Sequence, residues 1–382
     1  MINRAILLVI FGSHTLMGQW QQLPNAPGNA RDDGVSAIVK GKLFTGLGRD
    51  YGFYVQNDWW QYDIGKQQWQ QLDNVPFSRR QYSMVTVHEN KVVVIGGELD
   101  GELFRDVWLF DPEEKTWVKW PSFPKGTRQG VAFSTPFGLV CGMGLTENGV
   151  SDSLYLLNDG TWQFLTVFPE GPRDALSGFA ITEHLFLGWG RNLNHSACSD
   201  WWSYDMRYNR WSSMNAPGET PRYWTASASG AIGMGLVGFG MDKDDRFLDD
   251  LWVYRWPENR WRRIHIASYA LRGASIALDG DHVHVLWGVD QTFDRQNKHH
   301  VLNNSIPFES RLKVYPNPGN GTFRIAKRVE IEETYQIINA SGALIKEFTC
   351  QPSKGCTFHL QSSGLYILRN KLSGQYVRVI VI

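Results

Sequence analysis

Tryptophan recurs at an almost constant interval along most of this chain. Successive members of one set lie 49, 48, 45, 49 and 50 residues apart. A regular interval of this size indicates that one structural unit is repeated several times. The members of the set are Trp20, Trp69, Trp117, Trp162, Trp211 and Trp261.

Arginine keeps the same intervals, a short distance after each of these tryptophans. Two residue types that share one phase indicate a true repeat rather than chance. Each unit then continues with an apolar run that ends in glycine, which is typical of a strand buried on both faces. The arginines that open the units are Arg31, Arg80, Arg128, Arg173, Arg222 and Arg272.

An aromatic strand follows the apolar run in most units. In Asp58–Asp63 and its counterparts, a tryptophan and the next Tyr or Phe alternate with other residues, which places both rings on one face. The third unit departs from the pattern, because Ser153–Asn158 lacks the tryptophan. Several short strands in each unit predict a β-propeller, in which every four-stranded sheet needs neighbours to bury its faces.

These features resemble the Kelch repeat family, whose units carry a paired glycine, then an aromatic residue, then a tryptophan after a turn. The resemblance covers about 20–305 and weakens in the sixth unit, where 298–306 is the one candidate for a third strand. Residues 20–23 carry a repeat tryptophan with no unit before it, and we expect them to supply the missing fourth strand. The resemblance implies an all-β, six-bladed propeller over 19–305, closed by its N-terminal strand.

The C-terminal region has a different sequence pattern. Alternating strands with Gly and Pro turns over 312–382 predict a small antiparallel β-sandwich, after a linker at 306–311. Four spaced segments are similar to the type A C-terminal sorting domain of type IX secretion substrates in the Bacteroidetes. This resemblance implies the type IX secretion machinery as a partner, export through the outer membrane, and later removal of the domain or its exchange for a surface anchor. The matching residues include Tyr315, Pro316, Asn317, Pro318, Gly321, Gly364 and Tyr366.

The N-terminus agrees with export. Arg4 precedes an apolar run that is too short to span a bilayer but typical of a secretory signal peptide, which we place at 1–18. We therefore expect a mature protein with no transmembrane span, secreted or held at the outer-membrane surface after passage through the periplasm. Cys350 and Cys356 flank a five-residue turn, and an oxidising compartment would permit a disulfide between them.

The sequence contains no legible catalytic or cofactor pattern. Its 38 basic and 38 acidic residues balance, so nothing indicates a nucleic-acid partner. No Ser–His–Asp or Cys–His arrangement is visible. His282 and His284 share one strand face, but they lack a third ligand of defined spacing, and we expect neither a metal nor a cofactor.

A ligand site would lie in the loops at one opening of the propeller. An arginine that recurs in every unit is more often structural, but if these arginines bind a ligand, bidentate pairing favours an anionic one. Tryptophans outside the repeat could stack on sugar faces or belong to the core. The candidates are Arg80, Arg128, Arg173, Arg222 and Arg272, together with Trp189, Trp224, Asn192 and His195.

The sequence thus predicts an exported, non-enzymatic Kelch propeller that acts as a binding or adhesion module for a glycan or protein. The alternative is a sugar-acting Kelch-fold enzyme, such as a sialic acid mutarotase. A deep pocket with a buried acid or base beside the arginines would favour the enzyme. A flat aromatic rim would favour binding.

Overall fold

The described part of the chain is entirely β. The computed structural model describes residues 19–230, 233–256, 259–264, 270–280, 282–303, 314–315, 317, 319–325, 333–339, 344–351, 356–371 and 376–381. These residues form strands, turns and loops and no helix, so the predicted all-β fold is confirmed. The expected signal peptide at 1–18 and linker at 306–311 lie outside the described residues.

Most strands are five residues long and are joined by tight turns. The strands up to residue 167 are β1 (Gln19–Leu23), β2 (Arg31–Asp32), β3 (Val35–Val39), β4 (Lys42–Gly46), β5 (Arg49–Asp50), β6 (Trp59–Asp63), β7 (Gln68–Leu72), β8 (Met84–His88), β9 (Lys91–Ile95), β10 (Glu98–Leu99), β11 (Glu102–Leu103), β12 (Val107–Asp111), β13 (Thr116–Trp120), β14 (Thr127–Arg128), β15 (Val131–Thr135), β16 (Gly138–Gly142), β17 (Leu145–Thr146), β18 (Gly149–Val150), β19 (Ser153–Asn158) and β20 (Thr161–Val167). The next are β21 (Ser177–Ile181), β22 (His184–Gly188), β23 (Trp201–Asp205), β24 (Arg210–Met214), β25 (Ala226–Gly230), β26 (Met234–Gly238), β27 (Leu251–Arg255), β28 (Arg260–Ile264), β29 (Leu271–Arg272), β30 (Ser275–Asp279), β31 (His282–Leu286), β32 (Val289–Asp290) and β33 (His299–Asn303). The last are β34 (Val314–Tyr315), β35 (Thr322–Ile325), β36 (Glu333–Asn339), β37 (Leu344–Cys350), β38 (Thr357–His359), β39 (Gly364–Asn370) and β40 (Tyr376–Val381).

Six four-stranded antiparallel sheets occupy the described residues between 19 and 303. From the innermost strand outward, they are sheet 1 (β3-β4-β6-β7), sheet 2 (β8-β9-β12-β13), sheet 3 (β15-β16-β19-β20), sheet 4 (β21-β22-β23-β24), sheet 5 (β25-β26-β27-β28) and sheet 6 (β30-β31-β33-β1). Each innermost strand packs against the innermost strands of both neighbouring sheets, and β30 of sheet 6 packs against β3 of sheet 1. The sheets therefore form a closed ring.

The two ends of this ring meet inside sheet 6. Strand β1 pairs antiparallel with β33, and β33 pairs with β31. In this register Trp20 lies opposite Leu302, and Leu302 lies opposite Val283. The first described strand thus supplies the outer edge of the last sheet, which leaves no unpaired sheet edge at the join.

The recurring tryptophans link each sheet to the one before it. Trp69, on the outermost strand of sheet 1, donates its Nε1 hydrogen to the Pro24 carbonyl of the preceding unit at 2.9 Å. Trp162 and Trp261 make the same kind of bond to the carbonyls of Pro121 and Asn215. The interval between tryptophans therefore reflects a contact that each sheet makes with its predecessor.

A ring of backbone hydrogen bonds closes one end of the assembly. One residue per sheet, two positions before the innermost strand begins, donates its N–H to the carbonyl of the equivalent residue in the preceding sheet at 2.9–3.2 Å. All six residues have φ between 50° and 60°, and this left-handed conformation turns each N–H along the ring. We call them the ring residues: Asp33, Tyr82, Gln129, Ala175, Trp224 and Gly273.

Small residues line the channel that runs along the ring axis. The innermost strands enclose a cavity of about 580 Å³ whose wall includes Gly34, Ser36, Gly130, Ser227 and Ala274. The ring residues and the loops after the second strand of each sheet lie at the same end of this channel. We call this end the mouth.

The C-terminal strands form two further antiparallel sheets, β34-β35-β38 and β37-β36-β39-β40. Their side chains share one core that includes Phe323, Tyr335, Ile337, Leu368 and Val379. A core separate from those of the propeller sheets is typical of an independent domain. The predicted domain boundaries remain predictions.

Candidate functional site

Four of the recurring arginines are structural. Arg222 is 1% exposed, and both of its terminal nitrogens bind the carboxylate of Asp250, with Nη2 3.0 Å from Oδ2. Asp250 also accepts a hydrogen bond from Trp252 Nε1 at 2.7 Å. The same arrangement joins the start of a unit to the start of its third strand in three other sheets, in the pairs Arg31–Asp58, Arg80–Asp106 and Arg173–Asp200.

Two of these pairs lower the pKa of their aspartate. Burial raises the pKa of Asp250, but the hydrogen bonds and charge of Arg222 outweigh that effect and the pKa is lowered overall. Asp106, held by Arg80, shows the same balance. The guanidinium of Arg222 is fully used by Asp250 and by the carbonyl of Phe239 at 3.3 Å. Arg80, Arg173 and Arg222 are therefore corrected from ligand candidates to parts of the scaffold.

Arg128 and Arg272 do not belong to this structural set, although they keep the same spacing. The four structural arginines each stand two residues before a ring residue, whereas Arg128 and Arg272 stand directly before Gln129 and Gly273. Thr127 and Leu271 occupy the structural position in these two sheets. The six arginines therefore form two sets rather than one, and Arg128 and Arg272 contact the residues of the mouth instead.

Arg128 binds residues from the neighbouring sheet at the mouth. It forms a salt bridge with Glu98, which follows the second strand of sheet 2, and lies 5.2 Å from the ring of Tyr82. The Arg128 and Glu98 side chains are 22% and 14% exposed. Part of the guanidinium therefore remains in contact with solvent.

Arg272 lies on the other side of the mouth. Its Nη1 donates to Asp32 Oδ2 at 3.3 Å, and its guanidinium stacks 4.9 Å from the ring of Trp224. Arg191 stacks against the same indole at 5.2 Å and binds Asp174 through two hydrogen bonds. Trp224, at φ 51° and partly exposed, is thus held between two cations at the mouth.

Two adjacent carboxyl groups face these arginines. Asp32 accepts hydrogen bonds from Arg272 and from Arg295 Nε, the latter at 2.7 Å. Loss of hydration raises the pKa of Asp33 well above its ordinary value, and the neighbouring Asp32 charge and hydrogen bond add to this shift. The charge of Asp33, with burial, also raises the pKa of Tyr82. The mouth therefore holds an acid–phenol pair between Arg128 and Arg272.

Trp189 is not available for stacking on a ligand. It is fully buried and lies under Arg222 of the next sheet, with the guanidinium 4.4 Å from its ring. It stands at φ 56° directly before Gly190, a position that Trp287 occupies in sheet 6. Of the two alternatives for Trp189, stacking on a sugar or a place in the core, the structure shows the second.

Asn192 and His195 lie in the loop after the second strand of sheet 4. Asn192 Oδ1 accepts hydrogen bonds from the backbone N–H groups of Asn194 and Ser196, both at 3.0 Å, so this side chain shapes the loop. His195 is exposed at the loop tip with φ 57°. Neither side chain forms a hydrogen bond with Arg128 or Arg272. Among the described residues, no group of three or more His, Cys, Asp or Glu is suited to hold a metal ion.

Comparisons with known proteins agree with this architecture. Residues 79–124 match the Kelch motif, and residues 313–382 match a secretion system C-terminal sorting domain. The chain is 27% identical over 229 residues to an F-box/kelch-repeat protein of Arabidopsis thaliana, which covers 58% of this chain and 55% of that protein. The chain therefore carries a Kelch motif and a secretion system C-terminal sorting domain.

Two further similarities concern the propeller. An N-acetylneuraminate epimerase of Salmonella typhi is 29% identical over 115 residues, or 28% of this chain and 30% of that protein. The solved structure of YjhT has a TM-score of 0.61 at 13% identity and covers 73% of this chain and 96% of its own. At this identity the likeness concerns the fold alone. The chain spans about half and a third of the lengths of the two curated relatives.

The sorting domain of this protein contains the predicted disulfide. Cys350 and Cys356 are bonded, with their Cα atoms 5.5 Å apart, and both are buried in the domain core. Gly321 has φ 103° in the turn before β35, and the Tyr366 hydroxyl donates to the Ser362 carbonyl at 3.0 Å. Tyr315, Asn317 and Gly364 are among the described residues, whereas Pro316 and Pro318 lie outside them.

Sequence reasoning missed several residues of the mouth. Asp32, Asp33 and Tyr82 follow structural arginines, and Arg191 and Arg295 lie in or beside loops after second strands. The sequence contains one signal that indicates these residues, because the two residues after each structural arginine vary among the units while the arginine does not.

None of the described residues forms a helix long and apolar enough to cross a membrane.

Proposed function

We propose that this protein is an exported binding module that holds a glycan or protein ligand at the mouth. The observation that carries the proposal is the change of residues at otherwise equivalent positions. In the structural set, arginine is at most 3% exposed and pairs with an aspartate of its own sheet, whereas Arg128 and Arg272 keep partial exposure beside Tyr82 and Trp224. A scaffold that repeats exactly does not need these departures, so they are available for recognition.

The chemistry of the mouth suits a polar ligand with a planar or apolar face. The guanidinium groups of Arg128 and Arg272 present donors. The carboxyl group of Asp33, whose pKa is raised by burial, is a further polar group at the mouth. The indole of Trp224 and the phenol ring of Tyr82 supply aromatic surface.

A sugar-acting enzyme is the alternative, and it is not favoured. An acid beside arginines is present in Asp33, which is a feature expected of such an enzyme. However, the similarity to the N-acetylneuraminate epimerase extends over 28% of this chain only. Its activity therefore supplies no argument about the residues of this mouth.

Array binding of the purified chain, on both immobilised glycans and immobilised peptides, tests the proposal. We expect Arg128→Ala and Arg272→Ala each to weaken binding about tenfold or more, because each removes a charged donor. Arg207→Ala is the matched control, since Arg207 is 63% exposed and pairs with Glu183 in turns at the end of sheet 4 opposite the mouth. Binding that survives both mouth substitutions unchanged would contradict the proposal.

We further propose that the sorting domain delivers the protein to the outer-membrane surface or beyond it through the type IX machinery. The match over 313–382 supports this route. The test is deletion of these residues in a host that has type IX secretion, followed by cell fractionation. We expect the truncated protein to remain in the periplasm, and its appearance in the medium would contradict this route.

A further inference from the structure

One loop shape recurs after the second strand of sheets 1, 4, 5 and 6. In sheet 1, the N–H of Phe53 donates to the Asp50 carbonyl at 3.0 Å, and Asp50 Oδ1 accepts the N–H of Tyr54 at 2.9 Å. The other three loops repeat both bonds, with Asn192, Asp242 and Asp290 in the place of Asp50. The first residue of each loop, an Asp or Asn, therefore fixes its shape.

The tip of this loop varies while its backbone does not. The tip residues Phe53, His195, Asp245 and Phe293 have φ of 63°, 57°, 59° and 64°. Left-handed backbone favours Gly, Asn and Asp, and a bulky Phe there is an outlier that costs on the order of 1 kcal/mol. His195 and Asp245 show that the fold accepts polar tips. The two phenylalanines are therefore not explained by the needs of the loop.

Both phenylalanines are exposed, and they lie on adjacent sheets. Phe53 is 63% exposed and Phe293 is 65% exposed. Tyr51 and Tyr54, in the same loop as Phe53, are 70% and 68% exposed. We call Tyr51, Phe53, Tyr54 and Phe293 the aromatic platform. Sheets 6 and 1 meet at the join of the ring, so the platform forms one arc of the rim of the mouth.

Arginines hold the platform and connect it to the mouth. The guanidiniums of Arg49 and Arg295 lie 4.5 Å and 5.2 Å from the ring of Phe53. Arg295 also binds Asp32, which binds Arg272. The ring of Phe53 is therefore positioned before any ligand arrives, which lowers the entropy that binding must overcome.

The second tip is connected in the same way. The ring of Phe293 contacts the ring of Phe247 edge to face at 5.4 Å, and Arg272 lies 5.7 Å from Phe247. Aromatic surface thus continues from both exposed tips to the charged residues of the mouth. The arc alternates aromatic rings with arginines rather than forming one apolar patch.

This alternation favours a carbohydrate over a protein as the occupant. The buried centre of a protein interface is depleted in charged residues, whereas here Arg295, Arg272 and Asp32 lie between the aromatic rings. A sugar ring has apolar C–H faces that suit an aromatic face and hydroxyl groups that suit carboxylates and guanidiniums. An oligosaccharide matches both features in succession along its length.

We propose that the aromatic platform binds an oligosaccharide, with sugar rings packed on Phe53 and Phe293 and the next sugar unit directed to Arg272. The inference rests on the proposed function, because the mouth supplies the polar half of the same site. It adds the ligand class and the residues that extend the site outward.

Titration against an array of defined hexasaccharides of glucose, xylose, mannose and N-acetylglucosamine, beside the matching monosaccharides, provides the test. We expect at least one hexasaccharide to bind and its monosaccharide to bind at least tenfold more weakly. Phe53→Ala and Phe293→Ala should each weaken hexasaccharide binding about five- to tenfold, since each removes one stacked ring. Phe164→Ala is the matched control, because Phe164 is 61% exposed on the outer strand of sheet 3.

The outcomes separate this inference from the proposed function. If Arg272→Ala abolishes binding and the two platform substitutions change nothing, the platform proposal is overturned and the mouth proposal stands. If the platform substitutions weaken binding and neither Arg128→Ala nor Arg272→Ala does, the platform stands without the mouth. Absence of binding to every hexasaccharide overturns the platform proposal. A dimer that light scattering detects and that Phe53→Ala abolishes would also overturn the platform proposal, since the platform would then bind a second copy of the chain.

Discussion

Arg222→Met tests whether the structural arginines stabilise the propeller as the geometry requires. The substitution removes a guanidinium that is 1% exposed and keeps a side chain of similar length. Asp250, whose side chain is 10% exposed, would retain the hydrogen bond from Trp252 but lose its cation. Breaking a buried ion pair from one side costs about 3–5 kcal/mol. We expect the free energy of unfolding to fall by about that amount.

Differential scanning calorimetry of the full chain is the appropriate measurement, because the sorting domain has its own core and can unfold separately. A loss of this size corresponds to a melting temperature about 5–8 °C lower for the propeller transition. The transition of the sorting domain should not move. Asp250→Asn added to Arg222→Met should recover part of the loss, because the unpaired charge is then removed.

Arg272→Met is the matched control for this experiment. Its side chain is 18% exposed, and Asp32 keeps Arg295 as a partner when Arg272 is lost. We expect a change of about 1 kcal/mol or less, as for a partly exposed ion pair. Equal melting temperatures for Arg222→Met and Arg272→Met would refute the division of the arginines into a structural set and a mouth set.

Three further predictions concern titration and the sorting domain. Burial lowers the pKa of His284 to about 4 and of His299 to about 3. These two groups therefore leave the free energy of unfolding unchanged above pH 6.5 and should lower it by on the order of 5 kcal/mol as the pH drops towards 3. The double His→Gln variant should lose this pH dependence in urea titrations at several pH values. Because the pKa of Asp33 is raised in the folded protein, its contribution to stability is lost as the pH rises from the ordinary pKa of an aspartate to the folded-state pKa. Asp33→Asn should therefore melt at a higher temperature than the native protein at pH 7, and a lower melting temperature would contradict this. Cys350→Ser with Cys356→Ser should lower the stability of the sorting domain alone by about 2 kcal/mol, measured as a shift of its calorimetric transition.

The all-β repeat was predictable because its signal comes from contacts that each sheet must make with its neighbour. Trp69 and its counterparts recur because they contact the preceding unit, through a backbone hydrogen bond in three sheets. Trp211 and Trp117 instead contact the Thr166 hydroxyl and the ring of Trp59. The strand that completes the last sheet was also visible, since Trp20 has no unit before it and pairs in register with β33. In each case a local sequence pattern indicates a contact between strands or sheets on which the closed ring of sheets depends.

The mouth was not predictable to the same degree, because residue spacing does not distinguish neighbouring positions. Arg128 and Arg272 lie within one residue of the structural position, and side chains that differ by one place along an extended segment point to opposite sides. For a related reason, the sequence did not decide whether Trp189 is exposed to a ligand or buried in the core. Its position before Gly190 is left-handed and buried, and a sequence pattern does not reveal either property.

A closed ring of equivalent sheets explains where this protein is free to change. The structural arginine is fixed by its aspartate partner in the same sheet, and the left-handed ring residue is fixed by backbone hydrogen bonds to both neighbouring sheets. The residue directly before each ring residue varies among the sheets, and it is Asp32, Gln81, Arg128, Asp174, Tyr223 or Arg272. The loop tips are equally free, since one backbone accepts Phe, His and Asp. Because the ring brings all of these positions to one opening, variation that costs the fold little is concentrated where a ligand would meet it.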